Sequence, residues 1–372
     1  MRRRLLSLVV LVLGVALLIR ALSGVDLRGA VATVARIGPL APLVLLPFGI
    51  SMAIDAAAAC GLLAAIGRRA PFARVVAIRI GTEALHLTVP AGFVVGDSVT
   101  AALLQSRCSV PLTSGATIVV ARRWLMMRAH AGYIALGAIV GWQALAQVSA
   151  RALGSAVLPW IVLASALVPL LFSALLGASF RSGGLVAAAI GAGARAPWAW
   201  LRRLAGRWRV GATSIHAIMV QIGSARGVVW SATAGYFVCW LLEWLDTALI
   251  LRLLGAPPGL AVAMAAEVGI SLVRAIGNVA PAGLGVQDAG YATLFPAMGV
   301  RPEVAAAFVV VKRAKEAVWI AIGYALLAMQ RRAAARAAAA AEPSADDQSV
   351  GCDGTRAGSN GMHPLANGEH AL

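Results

Sequence analysis

Ala156–Gly177 runs for more than five helical turns without a single charged side chain. A helix of about 20 apolar residues is what a hydrocarbon core about 30 Å thick requires, so a run of this kind reads as a membrane span. It does not stand alone. Pro39–Ile66 is broken only by Asp55, Gly227–Leu254 carries Glu243 and Asp246 in its middle, and Leu112–Leu145 and Val304–Met329 are apolar around short charged clusters. Leu5–Ile19, behind Arg2, Arg3 and Arg4, has the flank of a signal peptide, but Arg20 spoils the small-residue cleavage pattern. It is therefore expected to stay as a first span. With 60% hydrophobic and 13% charged residues, where a soluble domain carries about 25% charged, the chain reads as an all-α, polytopic helical membrane protein.

The net charge of +17, from 32 basic against 15 acidic residues, is at first sight that of a nucleic-acid binder. Arginines interleaved with membrane spans exclude that reading, and no nucleic-acid partner is expected. They mark orientation instead. Arg2–Arg4, Arg68, Arg69 and Arg74, the loop 178–226 with Arg195, Arg202, Arg203, Arg207 and Arg209, and the cluster Arg331, Arg332 and Arg336 fall on one side by the positive-inside rule. Both termini then lie in the cytoplasm. Trp198, Trp200 and Trp208 alternate with arginines in that loop as an interfacial helix on anionic lipid would, or as a plain stop-transfer flank would. Residues 330–372, alanine-rich and then polar, read as a disordered cytoplasmic tail behind a membrane domain at 1–329. Cys60, Cys108, Cys239 and Cys352 have no metal or disulfide spacing and read as inert thiols.

An internal repeat divides the membrane domain. PAGFVVGD at Pro90–Asp97 returns as PAGLGVQD at Pro281–Asp288, an offset of 191, and 15 of the 47 positions from 90 to 136 are identical to their partners without a gap. Alanine bias does not account for the matched aspartate, arginine, proline and tyrosine. The copies span about 49–137 and 240–328, joined through the basic loop. A Pro-Gly break at membrane depth is tolerated only inside protein or beside a wet cavity. The charges place the two copies in opposite topology, each with a re-entrant hairpin at its Pro-Ala-Gly tip. The expected architecture is six full spans plus two hairpins, or about eight spans if the hairpin arms cross.

Ionisable groups inside spans are costly and mark function. The repeat pairs three of them across the copies, Asp55 with Asp246, Asp97 with Asp288, and Arg122 with Arg313. An aspartate and an arginine 25 residues apart in both halves are expected to meet. These six residues are the candidate substrate-binding groups, arginines holding an anionic or sugar-linked head group while the acids hold the arginines or carry protons. The alternative is a structural ion pair in each copy. Glu83, one turn before His86, joins the set as a proton-relay partner; two ligands do not close a zinc site, so no metal and no cofactor are expected. Lys312 and Arg313 pair with Glu316 at helical spacing. Pro281, Gly283 and Gly285 complete the set as the hairpin tip, where glycine allows close backbone approach. No phosphate loop or catalytic motif occurs.

Asn278–Val300 followed by Arg313 resembles the lysylphosphatidylglycerol synthase transmembrane region, or flippase-like domain family. Pro281, Gly283, Gly285, Asp288, Gly299, Val300 and Arg313 occupy its pattern, while Ala282 stands near an expected glycine and Asp288 where glutamate is commoner. The resemblance implies a bacterial inner-membrane protein that moves or holds lipid, here in a stand-alone form without the soluble synthase domain. Its partner would be a membrane lipid, whether anionic phospholipid, hopanoid or polyprenyl-linked, with lipid-synthesis enzymes as further partners. The function expected is non-enzymatic lipid translocation or binding. A membrane enzyme of lipid or glycolipid modification and a non-transporting scaffold of a hopanoid-type synthesis complex are the alternatives.

Overall fold

The computed structural model describes residues 27–89, 92–182, 214–256, 259–277 and 285–341, and among these every regular element is a helix. Leu27–Ala35 (α1) leads into a 3₁₀ stretch, Gly38–Leu45, and then α2, Leu46–Ala65. Phe72–Thr88 (α3) and Gly92–Cys108 (α4) flank the first Pro-Ala-Gly segment, and Leu112–Val140 (α5) follows. Trp142–Leu153 (α6), Leu158–Ser165 (α7), Leu167–Ser182 (α8) and a helix at 214–224 (α9) lie between the copies. The second copy comprises Arg226–Leu253 (α10), Leu260–Gly277 (α11), Val286–Ala297 (α12) and Pro302–Ala341 (α13). Met1–Leu327 and Ala328–Leu372 form separate units, the second holding the end of α13. The expected first span, the arginine-tryptophan loop helix and the tail beyond Ala341 lie outside the described residues. Residues 330–341, read from composition as part of the tail, are helical, as a stretch of alanine and arginine, both strong helix formers, favours.

Three described segments are long and apolar enough to cross a bilayer: Gly38–Ala65, Leu158–Phe180 and Arg226–Leu253. The expected span Leu112–Leu145 is shorter than that: α5 stops at Val140, and α6 leaves it at 73°. The bend falls at Gly141, which sits against α11 where a Cβ would come within 2.8 Å of the Ala265 methyl. Val304–Met329 is helical throughout, but Lys312, Arg313, Lys315 and Glu316 in its middle deny it the apolar composition of a free-standing span. At 1.5 Å per residue, α3 and α4 are each about 26 Å long and α12 about 18 Å, short of a full crossing. The outer faces carry exposed large apolar side chains such as Val168, Leu171 and Leu175 on α8 and Trp230 on α10. A contiguous apolar face of this kind suits lipid tails.

The helices recur in the order of the repeat. Shifted by 191, α2, α3, α4 and α5 fall on α10, α11, α12 and α13. Helices α2 and α10 pack directly, and their direction follows from the contacts: Cys239 Sγ reaches the Ser51 carbonyl, a Cβ on Gly235 would touch Ile54, and one on Gly61 would touch Val228. As the numbers rise along α2 they fall along α10, so the equivalent helices run antiparallel. Each long helix leans on a hairpin arm of the other copy. Gly137 of α5 lies against Val268 of α11, and Gly323 of α13 lies against Ile80 and Ala84 of α3. Small residues at such crossings let backbones approach closely in lipid, where no hydrophobic force drives helices together.

Each copy has its own apolar core. Leu62, Ile78, Leu104, Ile118 and Leu125 form the first; Ile250, Ile270, Phe295 and Phe308 form the second. A third, with Tyr133, Ile134, Leu145, Val162, Met264 and Val268, lies where α5 meets α11. Trp124 and Ser173 satisfy each other: Trp124 Nε1 donates to the Ser173 carbonyl at 2.9 Å while Ser173 Oγ donates back to the Trp124 carbonyl at 3.2 Å.

The α5–α11 crossing has no spare room, since a Cβ on Gly137 would lie 2.1 Å from Val268 Cγ1. Gly137→Val is therefore expected to destabilise the protein by about 1–3 kcal/mol, the usual cost of overpacking. Thermal unfolding of the detergent-solubilised chain measures it, and Val268→Ala in the same chain should recover part of the loss.

Candidate functional site

Asp55, on α2, is the centre of the first polar cluster and is 2% exposed. Arg122 of α5 grips it through Nε, at 2.9 and 3.0 Å from the two carboxylate oxygens, and through Nη2 at 2.6 Å. Arg79 of α3 approaches the same Oδ2 with Nε at 3.2 Å and Nη2 at 3.0 Å, and gives Nη1 to Thr82 Oγ1. Two guanidiniums on one carboxylate leave excess positive charge, which Glu83 offsets at 3.5 Å from Arg79. Glu83 in turn meets His86 Nδ1 at 2.9 Å, and His86 Nε2 faces Asp97 of α4. Asp97 accepts from Arg123 Nε at 2.8 Å. The result is one chain of seven ionisable groups, Arg122–Asp55–Arg79–Glu83–His86–Asp97–Arg123, running through four helices.

Helix α4 can come this close to α3 because it presents glycine. A Cβ on Gly92 would fall 2.4 Å from the His86 carbonyl oxygen, and one on Gly96 2.2 Å from the His86 ring. Burial of the chain is therefore a consequence of the hairpin's small residues.

The second cluster uses the same helices of its own copy with different cations. Asp246 of α10 pairs with Lys315 of α13. Arg313 Nε donates to Asp288 at 2.7 Å and its Nη1 donates to Glu316 at 2.5 Å. Asp288 has a second task, accepting from the Gly285 N–H at 2.9 Å at the start of α12, where Gly285 takes a positive φ of 81°. Beside these, Glu267 of α11 is ringed by Thr247 Oγ1 at 2.5 Å, Tyr291 OH at 2.7 Å and Lys312 Nζ at 3.4 Å. Lys312 also donates to Tyr291 OH at 2.9 Å and lies over its ring. Among the described residues no three His, Cys, Asp or Glu side chains form a group able to hold a metal.

The expected meeting of Asp and Arg 25 residues apart occurs in the second copy, as Asp288 with Arg313. In the first copy it does not: Asp97 takes Arg123, and Arg122 turns to Asp55. Adjacent residues on a helix point about 100° apart, so Arg122 and Arg123 face different neighbours. Lys312 likewise goes to Glu267 and Glu243 rather than to Glu316, which Arg313 holds. Asp55, Glu83, Asp97 and Arg122 therefore share one cluster, while in the second copy Asp288 and Arg313 meet beside Gly285 and Asp246 pairs with Lys315. Pro281 and Gly283 lie outside the described residues. Sequence reasoning missed Arg79, although its spacing of four from Glu83 was a signal, and the partners of Lys312 and Lys315. No sequence pattern announces Thr247 or Tyr291 as their neighbours.

The family model described as the lysylphosphatidylglycerol synthase TM region matches residues 4–337. No curated protein and no solved structure matches the chain.

Removing the central carboxylate leaves the buried Arg122 without its carboxylate and Arg79 with Glu83 alone. Asp55→Asn is expected to cost about 3–5 kcal/mol, seen as lost folded yield and a lower melting temperature. The triple change Asp55→Leu, Arg79→Leu and Arg122→Met, which removes the whole knot, should be markedly more stable than the single one.

Proposed function

Since the chain belongs to the lysylphosphatidylglycerol synthase TM region family and is a multi-pass membrane protein of lipid metabolism or transport, we propose that it binds a membrane lipid by its head group and carries it across the bilayer unchanged. The observation that carries this reading is the pair of buried ion networks beside broken helices. Charge at membrane depth is costly, and where it is kept it commonly lines a route for something polar. A guanidinium suits an anionic phosphodiester, which it meets with two parallel hydrogen bonds. An anionic phospholipid is therefore the proposed substrate, and a polyprenyl-linked phosphate offers the same chemistry.

The antiparallel relation of α2 to α10 and the crossed packing of each long helix on the other copy's hairpin support an inverted repeat. In that architecture one half rocks against the other around a site near the midplane, and half-helices at the site hold the substrate. The hairpins are read as re-entrant, the protein as a resident of the bacterial cytoplasmic membrane, and both ends as cytoplasmic. Translocation is preferred to catalysis because Asp55, Asp97, Asp246 and Asp288 each already hold a cation. A general acid or base needs freedom to exchange its proton with substrate.

The test is lipid redistribution in vesicles reconstituted with the full chain. Asp97→Asn and Asp288→Asn should each slow transfer of labelled phosphatidylglycerol by about tenfold, equivalent to about 1.4 kcal/mol on the limiting step. Transfer that is unaltered by both changes would sink the reading. Identifying the lipid that co-purifies with the protein separates anionic phospholipid from hopanoid and polyprenyl-linked substrates.

A further inference from the structure

The first cluster contains one contact that is made only halfway. His86 gives Nδ1 to Glu83, on its own helix, at 2.9 Å. Its Nε2 faces Asp97 Oδ1, on the other hairpin arm, at 3.5 Å, and both of these atoms are buried without a hydrogen-bond partner. Neither ring nor carboxylate is free to turn away. The imidazole lies on Gly96, and Asp97 Oδ2 is held by Arg123 at 2.8 Å. A neutral imidazole has one N–H. Once that is given to Glu83, a nitrogen lone pair confronts a carboxylate oxygen across the hairpin. The imidazolium has two N–H groups and satisfies both arms at once.

We propose that His86 is the proton-binding site of this protein, and that its protonation latches α4 onto α3. The neutral ring releases α4. Histidine is suited to this because its ordinary pKa, about 6.5, lies next to physiological pH. The charged groups around it come from every neighbouring helix: Arg79 and Glu83 on α3, Asp97 on α4, Arg122 and Arg123 on α5, and Asp55 on α2. From α13 the phenol of Tyr324 reaches the same end of α3 by a 2.5 Å contact with Thr88. Three carboxylates and three guanidiniums balance, so a neutral His86 leaves the network neutral and a protonated one leaves it with a single positive charge. Two carboxylates against the ring draw the proton in, and the overall balance lets it go. The second copy has no counterpart, since Gly277 stands at the position of His86 and Arg274 at that of Glu83. Among the described residues the latch thus occurs once, in the first hairpin.

The role of the latch in transport rests on the function proposed above; the latch itself does not. Two measurements on the full chain separate them. In maltoside detergent, the melting temperature of the unaltered protein is expected to fall by several degrees as pH rises over roughly 5.5 to 8.5, because a contact present only with the imidazolium is lost on deprotonation. His86→Gln and Asp97→Asn should each flatten most of that slope, while His130→Gln, whose ring stacks on Trp240, should keep it. In phosphatidylcholine vesicles carrying labelled phosphatidylglycerol, the transfer rate should change severalfold over the same range and lose that dependence in His86→Gln. A melting slope that His86→Gln and Asp97→Asn both retain would overturn the latch. A flattened slope with no lipid transfer by the unaltered protein at any pH would uphold the latch and reject the transport reading. Transfer whose pH profile is unchanged by His86→Gln would reject the coupling and leave transport standing.

Discussion

Everything in the membrane body is arranged around the cost of burying charge. A carboxylate or guanidinium taken from water into a low-dielectric interior loses several kcal/mol, and only a close, well-directed counter-charge recovers it. Asp55 with Arg122 and Arg79 meets that condition with bonds of 2.6–3.2 Å from two helices. To bring α2, α3 and α5 within that reach, the hairpin must fold tightly against them. The glycines of α4 make this closeness sterically possible. The polar network and the helix packing consequently share one geometry.

The two copies answer this requirement with the same scaffold and different chemistry. In each, the long helix, α5 or α13, supplies cations to one acid on the span before the hairpin and to another on the hairpin's second arm. The first copy does it with adjacent arginines, the second with Arg313 and Lys315. A planar guanidinium can bind one carboxylate through two nitrogens, whereas an ammonium acts as a point charge. The first cluster is accordingly directional and linked through a histidine, and the second is compact, with Lys312 seated among Tyr291, Phe308 and Glu267.

Much of this was legible before any coordinates. Apolar runs identified the helical membrane class, the matched Pro-Ala-Gly-Asp segments picked out the acids at 97 and 288, and the same offset picked out those at 55 and 246. What the sequence left open was partner choice. Arg122 and Arg313 are equivalent at the repeat offset, yet one holds Asp55 and the other Asp288, a difference of rotation about a helix axis that one-dimensional alignment does not carry. Arg79 escaped attention because it has no repeat partner: Ile270 stands at its offset. The bend at Gly141 was hidden too, since the neighbour it lies against, Ala265, is more than a hundred residues away.

The crossed contacts of Gly137 with Val268 and Gly323 with Ala84 have an implication for how such a chain comes to exist. Each copy's hairpin arm finishes its packing on a helix that belongs to the other. A copy taken alone would present those glycine faces unfilled. Joining both copies in one chain keeps each such face covered by a fixed partner. It also frees the halves to differ, which is how one of them can carry a histidine where the other has a glycine.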